Sequence, residues 1–176
     1  MENYEKETIA AIATALSDSG IGIVRISGEN AIYIVDSIFR SASGKKILTK
    51  VQSHMIHYGY IVDKDENIID EVMTSVMKAP KSYTMEDTVE INCHGGVLVM
   101  QKVLETVLQA GARLAEPGEF TKRAFLNGRI DLSRAEAVID VIHSQNEYAL
   151  SSSVSQLKGR LSDKIRSLRE DILYQI

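Results

Sequence analysis

Thr88-Val89-Glu90-Ile91-Asn92-Cys93-His94-Gly95-Gly96, followed by Val97-Leu98-Val99-Met100-Gln101-Lys102-Val103-Leu104-Glu105-Thr106-Val107-Leu108-Gln109-Ala110-Gly111, is the stretch on which the reading of the fold turns. Its first part alternates with the two-residue period of a β-strand. Val89, Ile91 and Cys93 fall on one face, and Glu90, Asn92 and His94 on the other. From Val97 the period changes: Val99, Val103 and Val107 with Leu98, Leu104 and Leu108 form an apolar helical stripe, and Gly111 stands as a left-handed terminator. The Gly95-Gly96 pair at the change is either a tight turn or a place where a ligand approaches the backbone and the free N–H groups of a helix end. Strand, glycine pair and helix make one compact unit.

Upstream, Met55 to Val62 and Ile68 to Met77 flank Asp63-Lys64-Asp65-Glu66-Asn67 and predict a hairpin with a five-residue loop. Thr8 to Thr14 and Gly22 to Ser27 are β-rich runs joined by the turn-forming Ser17-Asp18-Ser19-Gly20. After Gly28, the spacing of Ala31, Ile32, Val35, Ile38 and Phe39 predicts a helix, with Glu29 or Asn30 favouring its first turn. Downstream of Pro117 the chain reads as helical: Glu119 to Leu126, closed by Asn127-Gly128, then Ser133 to Ser144, then one long helix from Glu147 to Ile176. In the last, Val154, Leu157, Leu161, Ile165, Leu168 and Ile172 form a near-heptad seam that needs a partner. The pattern runs to Ile176 without a cap, so a fragment of a helical bundle is expected.

The 176 residues suit one large domain or one domain with an appendage, and 44% hydrophobic with 25% charged residues is ordinary globular usage. Cys93 is the single cysteine, so no intramolecular disulfide forms and a reducing, cytoplasmic setting is expected. Met1 to Glu7 carries Glu2, Glu5 and Glu7, the wrong charge for the start of a secretory signal, and no apolar run approaches the roughly 18 residues of a membrane span. The net charge of −4 argues against bulk electrostatic binding of nucleic acid. The charge is uneven: residues 1–110 hold 10 Lys and Arg against 15 Asp and Glu, whereas residues 111–176 hold 10 against 9. That shift, with the change in periodicity, places the boundary near Pro117-Gly118.

Several chemistries are excluded. Ser43-Gly44-Lys45-Lys46 lacks the upstream glycine and the hydroxyl of a phosphate-binding loop. Gly20-Ile21-Gly22-Ile23-Val24-Arg25 puts Arg25 where a dinucleotide fingerprint needs glycine. His54, His57, His94 and His143 form no metalloprotease set, and no metal site is expected.

Three segments carry positive signals. Arg25 sits among apolar neighbours in Gly22-Ile23-Val24-Arg25-Ile26-Ser27-Gly28, so its five donors meet a carboxylate, an anionic or carbonyl-bearing ligand, or water at a sheet edge. Tyr83 to Gly96 aligns Glu90, Asn92 and His94 on one strand face, where the commonest role for a lone Glu is a solvent-facing one. Cys93, opposite, reads as a small buried hydrophobe. Glu116 to Leu132 opens a helix with Pro-Gly, packs Phe120, Ala124 and Phe125 inward, and places Lys122, Arg123 and Arg129 near the boundary.

Together the segments resemble the amino-terminal region of the MnmE/TrmE family of tRNA-modification GTPases. The residues that carry the likeness are Thr8 to Thr14, Gly22 to Gly28, Ala79 to Thr84, Asp87 to Gly96, Ala112 to Gly128 and Asp131 to Ala137. Ala15-Leu16-Ser17-Asp18-Ser19-Gly20 departs from the Pro-Pro-Gly-rich turn usual in that family. The resemblance implies an α+β fold, a mixed or antiparallel sheet with packed helices like the folate-binding aminomethyltransferase domain, followed by an all-helical segment. It implies a tetrahydrofolate-binding and dimerisation domain over 1–117 and the first part of a helical domain over 118–176.

The family's GTPase domain, with its GTP, magnesium and potassium, and its carboxy-terminal Cys-x-Gly-Lys motif are absent from this sequence. The full family protein, with a flavoprotein partner of the MnmG/GidA type, modifies carbon 5 of the wobble uridine of tRNA, using a one-carbon unit from 5-formyl- or 5,10-methylene-tetrahydrofolate. By motif, the folate contacts carry over to Arg25, Glu90 and Arg129, the last often lysine in the family. A strand carboxylate suits the paired N–H donors of a pterin edge, and Arg offers a fork to carbonyl or carboxylate oxygens. The expectation is a homodimeric, folate-binding fragment that is not catalytic alone. Two alternatives stand beside it: a free-standing folate-dependent aminomethyl or methyl transferase, and a dimerisation module in which Arg25 and Glu90 only pair with each other.

Overall fold

The computed structural model describes residues 7–174, so the acidic start apart from Glu7 and the last two positions of the expected long helix lie outside the described residues. These residues form two compact units that divide between Phe120 and Thr121.

The first unit is built on a seven-stranded sheet: β1 (Ile9–Ile12), β2 (Ser19–Ser27), β3 (Phe39–Ser41), β4 (Met55–Val62), β5 (Ile68–Met77), β6 (Thr88–Gly95) and β7 (Arg113–Leu114). Their spatial order is β3-β4-β5-β6-β2-β1-β7. All neighbours are antiparallel except β1 and β7, so the sheet is mixed and the class α+β, as expected. Helices α1 (Ala31–Ile38) and α2 (Val97–Gln109) supply the apolar partners of the sheet. Val24, Ile26, Val76, Val89 and Ile91 meet Val35, Met100, Val103 and Val107 in one core, all with no exposed surface. Each such side chain contributes about 1.5–3 kcal/mol relative to exposure.

Local chemistry sets the boundaries. In the loop between β4 and β5, Asp63 Oδ1 accepts from the N–H groups of Asp65 and Asn67, both at 2.9 Å, an arrangement Asp favours in turns. Asn67 Nδ2 also donates to Asp63 Oδ2 at 3.1 Å, and this bond, followed by the backbone ones, holds the Asp63 carboxyl below its ordinary pKa. Asn30 occupies the N-cap of α1 without a side-chain cap; Thr8 Oγ1 instead accepts from its N–H at 3.1 Å. Gly28 lies beside it at φ +139°, against Thr8, where an added Cβ would stand 2.7 Å from the Thr8 Cα. Phe39, expected in the helix, begins β3, because its backbone pairs with Ile61. Leu98, expected in the α2 stripe, is 67% exposed, since the sheet meets the Met100, Val103 and Val107 side.

The remaining helices are α3 (Glu119–Leu126), α4 (Leu132–His143), α5 (Glu147–Leu157) and α6 (Arg160–Tyr174). Asp131 caps α4 by accepting from the Arg134 N–H at 2.9 Å, and also accepts from Ser162 Oγ at 2.8 Å. Asn146 caps α5 through Ala149 N–H at 2.8 Å. The single helix expected from Glu147 onward is two helices. Gly159 stands between them at φ +87°, and a Cβ there would collide with the Arg134 guanidinium. Leu161, Ile165, Leu168 and Ile172, the α6 part of the expected seam, are 46–60% exposed. No helix among the described residues is long and apolar enough to cross a membrane.

Candidate functional site

Antiparallel pairing of β2 with β6 sets Arg25 directly opposite Glu90 on the sheet face turned away from α1 and α2. Glu90 Oε1 accepts from Arg25 Nε at 2.8 Å and lies 2.7 Å from Nη2. The side chains are 30% and 23% exposed, so the pair is half-buried rather than sealed in the core. Both contacts use one carboxylate oxygen. Among the described residues Glu90 Oε2 accepts nothing and Arg25 Nη1 donates to nothing, which leaves an acceptor and a donor side by side.

Two aromatic rings flank the guanidinium: Tyr83 with its centroid at 5.9 Å and Phe120 at 5.6 Å, both within cation–π range. Each ring is held by a polar network. Beneath Tyr83, Ser27 Oγ lies 2.6 Å from Thr84 Oγ1 and donates to Glu86 Oε2 at 2.7 Å. Ser27 and Thr84 have no exposed surface, so these bonds satisfy groups that would otherwise be costly to bury. Asp87 ties the same segment to its surroundings, its Oδ1 accepting from Ala79 N–H at 2.8 Å and its carbonyl from Gly28 N–H at 3.0 Å. Phe120 follows Glu119, whose buried carboxylate accepts from Arg113 at 2.7 and 3.1 Å and from Glu116 N–H at 2.8 Å. The hydrogen bond to Glu119 leads the effects that raise the Arg113 pKa above the ordinary arginine value.

Further along β6, burial alternates as expected: Val89, Ile91 and Cys93 are buried, and Glu90, Asn92 and His94 share the open face. Cys93 lies under that face, where burial pushes its thiol up to about 11, the behaviour of a small hydrophobe. His94 is bound twice by Asp70: its backbone N–H donates to Oδ2 at 2.8 Å, and Nδ1 lies 2.7 Å from Oδ1. The Asp70 hydrogen bond raises the His94 pKa above the ordinary imidazole value. Gly95 owes its lack of a side chain to packing, since a Cβ would run into the Ser19 backbone paired with it. Gly96 is the N-cap of α2.

The structure thus brings Arg25 and Glu90 together. Arg129 belongs to the second unit, in the turn closing α3, where its backbone N–H donates to the Ala124 carbonyl at 2.9 Å. Of the residues expected inward on α3, Ala124 is buried but Phe125 is 40% exposed. Among the described residues, no three His, Cys, Asp or Glu side chains are grouped to hold a metal ion. Sequence reasoning missed the ring pair around Arg25 and the Asp70 partner of His94. Tyr83 and Phe120 both lie in segments that stood out by motif, but the bend bringing them to β2 leaves no periodic trace.

A family model described as GTP-binding protein TrmE N-terminus matches residues 8–129. Proteins named tRNA modification GTPase MnmE are similar over nearly the whole chain. That of Lachnoclostridium phytofermentans is 64% identical over 167 residues, 95% of this chain and 36% of its own length. That of Geobacillus kaustophilus is 58% identical over 170 residues, 96% and 37%, and that of Bacillus subtilis 54% over 168, 95% and 36%. The chain therefore spans little more than a third of these relatives' length.

Proposed function

The chain belongs to the family of TrmE amino-terminal regions, and from that premise we propose that it binds a tetrahydrofolate at Arg25 and Glu90 and joins two subunits of a tRNA-modifying GTPase. In this reading residues 1–117 are the folate-binding and dimerisation domain and 118–176 the first part of a helical domain. The carrying observation is the half-buried Arg25–Glu90 pair between the Tyr83 and Phe120 rings.

The residues present fit a folate. Glu90 Oε2, which accepts nothing among the described residues, can take an N–H of the pterin edge, while Oε1 keeps the carboxylate oriented on Arg25. Arg25 offers its remaining guanidinium donors to a carbonyl or carboxylate oxygen. Tyr83 and Phe120 add flat apolar surface to exclude water around a planar ring. Arg129 is the third folate contact that the family resemblance implies. The folate, as the 5-formyl or 5,10-methylene derivative, supplies a one-carbon unit; this chain's residues bind and orient it.

Carbon 5 of the wobble uridine of tRNA receives that unit in the full protein, which works in the cytoplasm with an MnmG/GidA-type flavoprotein. GTP, magnesium and potassium belong to the GTPase domain of the full-length family. Homodimerisation through the first unit is supported by exposed Ile56 on the open sheet face, outside the residues around His94. The same pair, already closed on itself, also suits a module that only joins subunits. Calorimetric titration with 5-formyl-tetrahydrofolate separates the two: binding that Glu90→Gln removes supports the folate site, and no binding by a folded wild-type chain assigns the pair to structure alone.

A further inference from the structure

The open sheet face carries a second polar station beyond Glu90. Strands β5 and β6 pair from Met77 and Thr88 as far as Met73 and Asn92, and their ladder stops there. Past that point a cavity of about 210 Å³ opens, lined by Ile21, Tyr58, Glu71, Met73, Asn92 and His94 among others. Asp70 bridges the splayed strands through its two bonds to His94.

The lining has a definite chemistry. Asp70 occupies Nδ1 of His94, so Nε2 is the ring position left to a ligand, and it presents an N–H donor whenever the ring is charged beside the Asp70 carboxylate. Asn92 Nδ2 donates to the Met73 carbonyl at 3.0 Å, which leaves its Oδ1 as an acceptor. Tyr58, bonded to Tyr60 and Glu71, has its phenol pKa raised, so Glu71 is engaged rather than a free anion trap. Asp70 and Glu71 offset the imidazolium, which disfavours a free anion and favours a neutral acceptor. Ile21, Tyr58 and Met73 are 48–56% exposed around the opening, apolar surface that a flat ring would cover. The size suits one ring and a small substituent, since about 150 Å³ already holds a benzene.

We propose that this cavity is a second subsite, binding one substituted aromatic ring whose carbonyl oxygen accepts from His94 Nε2. Resting on the folate reading above, the subsite takes the aminobenzoyl part of the ligand. Glu90 and His94 project from the same face of β6 with a spacing of roughly 14 Å, so a ligand of two linked ring systems is needed to reach both.

The test compares 5-formyl-tetrahydrofolate, a 6-methyl-tetrahydropterin lacking the aminobenzoyl part, and p-aminobenzoylglutamate on the wild-type chain and His94→Gln. His94→Gln keeps the backbone bond to Asp70, and its fold is checked by amide NMR. The expected result is about a tenfold loss for 5-formyl-tetrahydrofolate, no change for the pterin, and a shift of the wild-type His94 ring resonances on adding p-aminobenzoylglutamate. Equal losses for both folate and pterin, or no loss for either with unshifted His94 resonances, overturn the subsite and leave the Glu90 reading standing. Wild type that binds neither folate nor pterin sinks the Glu90 reading, while the His94 resonances still decide the cavity. Weaker self-association of His94→Gln by sedimentation, with ligand affinities unchanged, overturns the proposal and gives the cavity to a second copy.

Discussion

Removing either partner of the Arg25–Glu90 pair should have unequal consequences for stability, because Arg25 is held by more than its carboxylate. The ion pair is less than a third exposed on each side, and both contacts fall on one oxygen, so its worth lies near the upper end of the surface range, about 1 kcal/mol. The Tyr83 and Phe120 rings add about 0.5–1 kcal/mol each. Glu90→Gln should therefore cost about 1 kcal/mol, and Arg25→Ala roughly 2–3 kcal/mol once both rings lose the cation. Urea unfolding of the two single variants and the double variant gives the coupling directly, expected at about 1 kcal/mol. A coupling near zero would refute the pair as a standing contact. A Glu90→Gln cost well above Arg25→Ala would refute the ring contribution and make Glu90 a keystone of the fold, unavailable to a ligand.

Gly159→Ala should destabilise the helical unit by roughly 1–2 kcal/mol, from the left-handed φ of +87° alone, because the Arg134 guanidinium is a flexible end that can move aside; far-UV circular dichroism melting reads this, and an unchanged melt refutes it. His94 has a raised pKa in the folded chain, so its pairing with Asp70 stabilises fully below the unfolded imidazole value of about 6.5 and is lost as pH rises through the folded value. NMR titration should show Asp70→Asn lowering the His94 midpoint, and an unmoved midpoint contradicts the assignment. Cys93, with its thiol pushed up to about 11 and its side chain buried, should react with iodoacetamide at pH 7 far more slowly than the urea-unfolded chain; equal rates would refute its burial.

The sequence was most legible where a single period governs a long stretch. The alternation of β6 assigned its faces correctly, and the stripe of α2 placed Val103 and Val107 in the core while misplacing Leu98 and passing over Met100, because one buried side decides every second or fourth residue. Legibility failed where a distant backbone decides. Gly95 attracts a ligand-binding reading, but its small size answers to Ser19, a partner in β2 that no local pattern announces. Phe39 fits the helical spacing of α1 and leaves it to pair with Ile61. The seam from Val154 to Ile172 hid the break at Gly159 because its apolar spacing continues across the two helices. In the candidate site, Arg25 and Glu90 stood out one residue at a time as polar groups on strands, and their folate roles rest on the family resemblance. The rings of Tyr83 and Phe120 were not, since their place beside Arg25 depends on buried networks around Ser27 and Glu119.

The most direct test of the central claim is calorimetric titration of this chain with 5-formyl-tetrahydrofolate, beside a folded Glu90→Gln variant. The account predicts saturable binding by the wild type and its loss in the variant, with the fold unchanged. Binding of equal strength in both, or none in either, would contradict a folate site at Arg25 and Glu90.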